Sequence, residues 1–177
     1  MRVLLAGILG GIAMFVWSSI AHLATPLASE GISVLPDEQV TINSFAASLG
    51  ERHGLFLFPT MGTATATGAK SGPTGFLVYH PHGAYALNPR TLITEFITEV
   101  IESLIAAFLV SMAAIASYGT RVGFVALVGL AAAITTNIPY WNWYGFPGRY
   151  TAGYALTELI AYVVAGLVIA WLVPKKA

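Results

Sequence analysis

Four stretches of this chain, about Leu4–Leu23, Phe96–Tyr118, Val122–Trp141 and Tyr154–Val173, are long and apolar enough to cross a bilayer. Each carries polar side chains near the same end: His22, Glu99 with Glu102, Asn137 and Glu158. A spanning helix needs about 20 mainly apolar residues, and every stretch meets that length. The composition agrees, with 56% of residues hydrophobic and only 9% charged. Soluble domains carry about 25% charged residues, so most of this surface is expected to face lipid. The net charge of zero suggests neither nucleic acid nor an acidic partner. The absence of cysteine excludes disulfides, iron–sulfur clusters, thiolate metal sites and cysteine nucleophiles.

The first stretch also has the form of a signal peptide, with Ser19-Ile20-Ala21 as a cleavage-like end. Its apolar run exceeds the usual signal core of about 7–15 residues, so it is expected to be retained as a span. Basic residues then set the orientation. Arg2 precedes the first span, Arg121 lies in the turn Tyr118–Arg121 between the second and third, and Lys175 and Lys176 follow the fourth. These sites share one side only if both termini are cytoplasmic. Arg52, Lys70, Arg90 and Arg149 fall on the opposite side, so the bias resides in the short inner loops. The expected place is a bacterial inner membrane, multi-pass. Tyr140, Trp141, Trp143 and Tyr144 form the belt of rings that favours the outer headgroup layer.

The fold expected is an all-α membrane bundle of four transmembrane helices. A small α+β extracytoplasmic cap is inserted between helices one and two. The divisions are residues 1–23, 24–93 and 94–177. Within the cap, Pro36-Asp37-Glu38 reads as a helix start and Gly50 as its stop, with Ile42, Phe45, Ala46 and Leu49 on one face. Leu55–Phe58 and Gly75–Tyr79 read as paired strands. The Thr-, Ala- and Gly-rich run Thr60–Pro73 between them is expected to be mobile.

Glu95, Glu99 and Glu102 are spaced i, i+4, i+7 and share one helix face. Ala106, Ala113 and Ser117 continue it, and Ile97, Ile101, Leu104, Phe108 and Ile115 lie opposite. Gly7, Gly11, Ser18 and His22 make a similar stripe on the first span. So do Gly129, Ala133 and Asn137 on the third, and Tyr154, Glu158, Ala161 and Ala165 on the fourth. Helices in lipid meet through small residues, so these stripes are expected to face inward. At about 1.5 Å per residue, Glu102, Asn137 and Glu158 lie about 24 Å from the cytoplasmic ends of their helices. His22 sits at the outer boundary.

One reading is a polar pocket opening outward, lined by His22, Glu99, Glu102, Asn137, Tyr154 and Glu158. It would take a cation, a quinone headgroup or a relayed proton. His22, Glu99, Glu102 and Glu158 make a plausible divalent-metal set. The other reading is interhelical hydrogen bonding without a ligand. Tyr79-His80-Pro81-His82-Gly83 places two histidines alternately on a strand, with His53 as a third group on its partner, but a polar turn after the strand explains them better. The string Asn137–Thr151 contains Pro139 and Pro147, which break helices, and Thr151, which can cap the fourth span. It serves either as a recognition lip for lipid or quinone or as a rigid turn within the ring belt. No metalloprotease, nucleophile-elbow or Walker motif is present, no catalytic residue is assigned, and no cofactor is implied.

The segments Tyr140–Pro147, Gly72–Tyr79 and Gly10–His22 resemble those of a widespread, uncharacterised bacterial family of small four-helix membrane proteins. The resemblance covers most of the chain apart from Thr60–Ser71. It implies the topology and no activity. The function expected from sequence is a non-enzymatic accessory or structural subunit of a larger respiratory or photosynthetic membrane complex, with lipid and other membrane subunits as partners. The alternative is a ligand- or ion-handling protein using the outer polar pocket. An intramembrane enzyme using paired carboxylates is a third reading, and nothing in the sequence supplies its substrate.

Overall fold

The computed structural model describes residues 1–59, 72–83 and 88–174. Most of Thr60–Pro73, together with Lys70, Lys175 and Lys176, lies outside the described residues. The described elements are helix α1 (Arg2–Ala24), a short 3₁₀ turn (Pro26–Ala28), helix α2 (Glu38–Leu49), strands β1 (Gly54–Phe58) and β2 (Gly75–Tyr79), and helices α3 (Pro89–Met112), α4 (Tyr118–Tyr144) and α5 (Gly148–Leu172). The chain forms two compact units, Met1–Gly31 with Leu87–Ala177, and Ile32–Ala86.

In the first unit α1 packs along α3 on one side and α5 on the other, and α5 packs along α4. The order across the layer is therefore α3–α1–α5–α4. The two outer helices touch only lightly, so the layer curls into a groove. Neighbours run antiparallel: Gly7 and Gly11 meet Leu104 and Val100, and Gly129 meets Tyr162. Glycine is what permits these approaches. A Cβ on Gly7 would stand 2.7 Å from the Leu104 Cα, and one on Gly11 2.5 Å from the Val100 Cα. Gly10 faces both the Ser103 hydroxyl and Ile169, so α1 is wedged between two helices along one glycine face. Trp17 Nε1–H adds a bond to the Thr157 carbonyl at 2.9 Å.

Three helices, α1, α4 and α5, are long and apolar enough to cross a membrane. The fourth expected span is not matched in the same way. Helix α3 starts at Pro89, capped by Asn88 and Thr91, and already ends at Met112, well before Tyr118. Its length takes in Arg90, Glu95, Glu99 and Glu102. Its outer face is nonetheless apolar, with Ile97, Ile101, Ile105, Phe108 and Met112 exposed. Leu104, expected among them, instead covers Gly7. Ala113 and Ser117 lie beyond the helix rather than on its small-residue face.

The expected turn Tyr118–Arg121 is the first turn of α4, and the connection is residues 113–117, with Ala114 at φ 51°. Arg121 is 2% exposed. Its guanidinium donates to the carbonyl oxygens of Ile115 (2.7 Å), Val173 and Pro174 (3.1 Å). Carbonyls that a helix C-terminus leaves without partners are thus gathered by one cation, whose charge also suits the helix dipole. Pro139 does not break α4, which runs on to Tyr144 and is capped by Gly145 with φ 71°. Proline costs one ladder bond, and the left-handed glycine is the actual stop. Thr151 is inside α5, donating to the Pro147 carbonyl at 3.2 Å, and does not cap it.

In the second unit α2 runs between Asp37 and Gly50, and β1 pairs antiparallel with β2, Leu55 opposite Val78 and Leu57 opposite Phe76. Thr41, Phe45 and Leu49 form the half-buried face of α2, while Ile42 is exposed. None of the described residues from Ile32 to Gly83 is buried. The unit begins later than the expected cap because Thr25–Ala28 folds back onto α5, where a Cβ on Gly153 would stand 2.6 Å from the Leu27 carbonyl oxygen.

Gly11→Leu is expected to destabilise the protein by about 1–3 kcal/mol, as overpacking does, whereas Val16→Leu on the exposed face stays within about 0.5 kcal/mol. Arg121→Gln is expected to cost about 2–3 kcal/mol, because several carbonyls lose a charged donor. Reversible unfolding in mixed micelles checks all three.

Candidate functional site

The groove between α3 and α4 has α1 and α5 as its floor and encloses a half-open cavity of 540 Å³. Every wall residue belongs to the first unit. His22, Glu99, Glu102, Asn137, Tyr154 and Glu158, singled out in the sequence, all line this one cavity, and Glu95 joins them. Helix periodicity explains the assembly. One face of α3 delivers Glu95, Glu99 and Glu102. On α4, Arg121, Val125, Gly129, Ala133 and Asn137 follow at intervals of four and are all buried.

Glu99 and Glu158 each accept from a side-chain donor. Ser18 Oγ donates to Glu99 Oε1. Asn137 Nδ2 donates to Glu158 Oε2 at 3.1 Å and also to the Ala133 carbonyl at 3.0 Å. The Tyr162 hydroxyl is within hydrogen-bonding reach of Glu102. His22 Nδ1 lies 2.9 Å from the Ser18 carbonyl oxygen of its own helix. Among the described residues no three His, Asp or Glu side chains converge to hold a metal ion.

Two buried polar atoms are left over, Glu99 Oε2 and the Ser103 hydroxyl one turn further along α3. Glu99 is 5% exposed, yet its Oε2 has no hydrogen-bond partner among the described residues. A buried carboxylate oxygen without a donor is costly, and native proteins leave few of them. Two wall hydroxyls are spent on their own helices: Ser19 donates to the Phe15 carbonyl at 2.7 Å and Thr157 to the Gly153 carbonyl at 2.9 Å. The cavity therefore holds four carboxylates and, apart from His22 at its exposed rim, no cationic side chain.

A run of rings leads to this rim. Tyr140, Phe146, Tyr150 and Tyr154 follow one another at centroid distances of 5.3, 5.4 and 4.5 Å, and Tyr154 meets His22 edge-on at 6.0 Å. Sequence reasoning took Tyr140 and Tyr144 only as parts of an interfacial belt with Trp141 and Trp143, all four of which are exposed. It missed Ser18 as the partner of Glu99 and Tyr162 as the partner of Glu102. The signal for Tyr162 was its position four residues after Glu158 on the same helix.

The histidine pair outside the groove sits in the polar turn that follows the strand. Strand β2 ends at Tyr79, His80 begins a turn closed by the Gly83 N–H at 3.2 Å, and His82 Nε2 lies 2.7 Å from Glu51 Oε2 on an exposed surface.

Asn137→Leu is expected to cost about 0.5–2 kcal/mol by removing the donor to Glu158. The further change Glu158→Gln in that background is expected to restore part of the loss, giving a nonzero coupling in a double-mutant unfolding cycle. No protein-family model, curated protein or solved structure matches this chain.

Proposed function

We propose that this is a multi-pass protein of a bacterial inner membrane whose groove binds a positively charged ligand from the extracytoplasmic side. The observation that carries the reading is the cavity itself, walled by Glu95, Glu99, Glu102 and Glu158 and by no lysine or arginine. Such a field attracts a cation and repels phosphate or carboxylate.

All four long helices cross the membrane in this reading. Helix α3 lies alongside α1, with Phe96 stacked edge-on against Phe15 at 5.4 Å and Leu104 over Gly7, so the two share the same depth. Its glutamates turn into the groove, which is the arrangement that lets charged side chains persist in a spanning helix. Arg2 and Arg121 lie at one end, where Arg2 stands beside Trp171 and Leu172 and Arg121 holds Val173. That end is cytoplasmic by the bias of basic residues. The groove then opens near the other leaflet.

The accessory-subunit reading keeps one specific support. The Ile32–Ala86 unit has no buried residue among those described, while Val40, Leu55 and Val78 are widely exposed. A second membrane subunit would cover such a surface. Copurification of a stoichiometric partner in mild detergent tests it, and a monodisperse, partner-free protein with full stability argues against it.

The ligand reading is tested by thermal unfolding in phosphatidylcholine nanodiscs, with ethylammonium chloride compared to sodium chloride at equal ionic strength. A ligand at 100 times its dissociation constant adds about 2.7 kcal/mol to stability. Ethylammonium is expected to raise the midpoint of the native protein and to lose that effect in Glu99→Gln. The amide retains an oxygen acceptor for Ser18, so the fold is expected to survive the change. Equal responses of the two proteins would refute the reading.

A further inference from the structure

We infer that the cytoplasmic end of the first unit holds an anionic phospholipid, with its phosphate at Arg2 in a crevice between α1 and α5. The inference rests on the membrane reading and is independent of cation binding in the outer groove. Three observations lead there. First, a half-open crevice of 280 Å³ lies between the start of α1 and the end of α5, walled by Arg2, Leu5, Trp171 and Leu172. Small-molecule sites run upwards from about 300 Å³, so this space suits a headgroup and leaves the acyl chains outside.

Second, this end of the unit is the electrostatic opposite of the glutamate groove. Residues 1–23, 103–147 and 159–177 contain no aspartate or glutamate. The two arginines here are used differently. Arg121 is buried and spends its donors on backbone carbonyls. Arg2 is exposed, and no hydrogen bond or ion pair to a described residue engages its guanidinium. Its planar fork of N–H donors matches the oxygens of a phosphate. Basic pockets between spanning helices on the cytoplasmic side suit anionic headgroups. A choline or ethanolamine headgroup adds an ammonium that Arg2 repels and that no carboxylate in these segments balances. Phosphatidylglycerol adds none.

Third, the walls are graded as a lipid is. Trp171 is widely exposed, and tryptophan near the end of a span settles at headgroup level. Leu5, Leu9 and Ile12 follow one another along one exposed face of α1, and Leu167 stands one turn before Trp171 on α5. Acyl chains of a lipid anchored at Arg2 lie along this apolar surface. A free phosphate ion makes only the contact with Arg2.

The test extracts the full chain in mild detergent from bilayers with equal amounts of phosphatidylglycerol and phosphatidylcholine. Mass spectrometry of the intact protein counts the lipids that stay bound. The native protein is expected to retain phosphatidylglycerol over phosphatidylcholine by about fivefold, the advantage one basic side chain gives near an anionic headgroup. Arg2→Gln is expected to abolish the preference. So is Leu5→Trp, which fills the crevice and leaves Arg2 in place. Both positions are exposed, so the fold is expected to survive both changes. Arg2→Gln combined with Met112→Arg returns the charge on the exposed end of α3 and is expected not to return the preference. Inorganic phosphate added at extraction is expected to leave the lipid bound. Equal retention of the two lipids, or a preference that survives Arg2→Gln or Leu5→Trp, would overturn the inference. A preference regained with Met112→Arg overturns it too, in favour of general surface attraction. Displacement by inorganic phosphate makes the crevice a free-anion site and overturns the lipid assignment. The groove is untouched by any of these results, since its reading stands or falls with the Glu99→Gln comparison.

Discussion

Hydrocarbon offers no hydrogen bonds, and that single constraint organises the first unit of this protein. A polar side chain on a helix in lipid has to find a partner within the protein or reach a wet cavity. Here Ser18 finds Glu99, Asn137 finds Glu158, Tyr162 approaches Glu102 and Trp17 finds the Thr157 backbone. The branched and long apolar side chains are left for the outside, as Ile8, Ile101, Ile105, Leu127 and Leu167 show by their exposure. The arrangement is inside-out relative to a soluble domain, and the proposed bilayer is the solvent that makes it stable.

Close approach is the second requirement. Polar bonds between helices are worth about 0.6 kcal/mol on average in membranes, so packing carries much of the association. The glycines at positions 7, 10 and 11 place α1 directly against α3 and α5, and Gly129 receives the Tyr162 ring. Because α1 sits centrally, α3 and α4 are held apart at the edges of the layer. The groove is thus a consequence of helix order: packing closes three neighbouring pairs and leaves the fourth side open.

Much of this was legible in the sequence because helix periodicity is local. Glu95, Glu99 and Glu102 share a face by spacing alone, and depth counting put Glu102, Asn137 and Glu158 at a common level, with His22 at the outer boundary. The paired strands followed from their turn-bounded aromatic and branched residues. What stayed illegible depended on contacts between distant segments. Arg121 reads as an interfacial charge, but its role is to bind carbonyls at the end of α5, 52 and 53 residues away. Pro139 reads as a helix breaker, but one missing donor does not stop a helix that Gly145 is placed to end. Leu104 reads as lipid-facing, because nothing local announces the glycine beneath it.

The central claim is that lipid surrounds these helices while the glutamate face of α3 looks into a wet groove. The native chain has no cysteine, so single cysteines report position cleanly. The most direct measurement is the reaction rate of a membrane-impermeant maleimide with Glu95→Cys and Glu102→Cys compared with Ile97→Cys, Ile101→Cys and Ile105→Cys in intact vesicles. The account predicts labelling at the two glutamate positions from one side of the vesicle and protection at the three isoleucine positions. Comparable labelling of both faces would place α3 in water and contradict it.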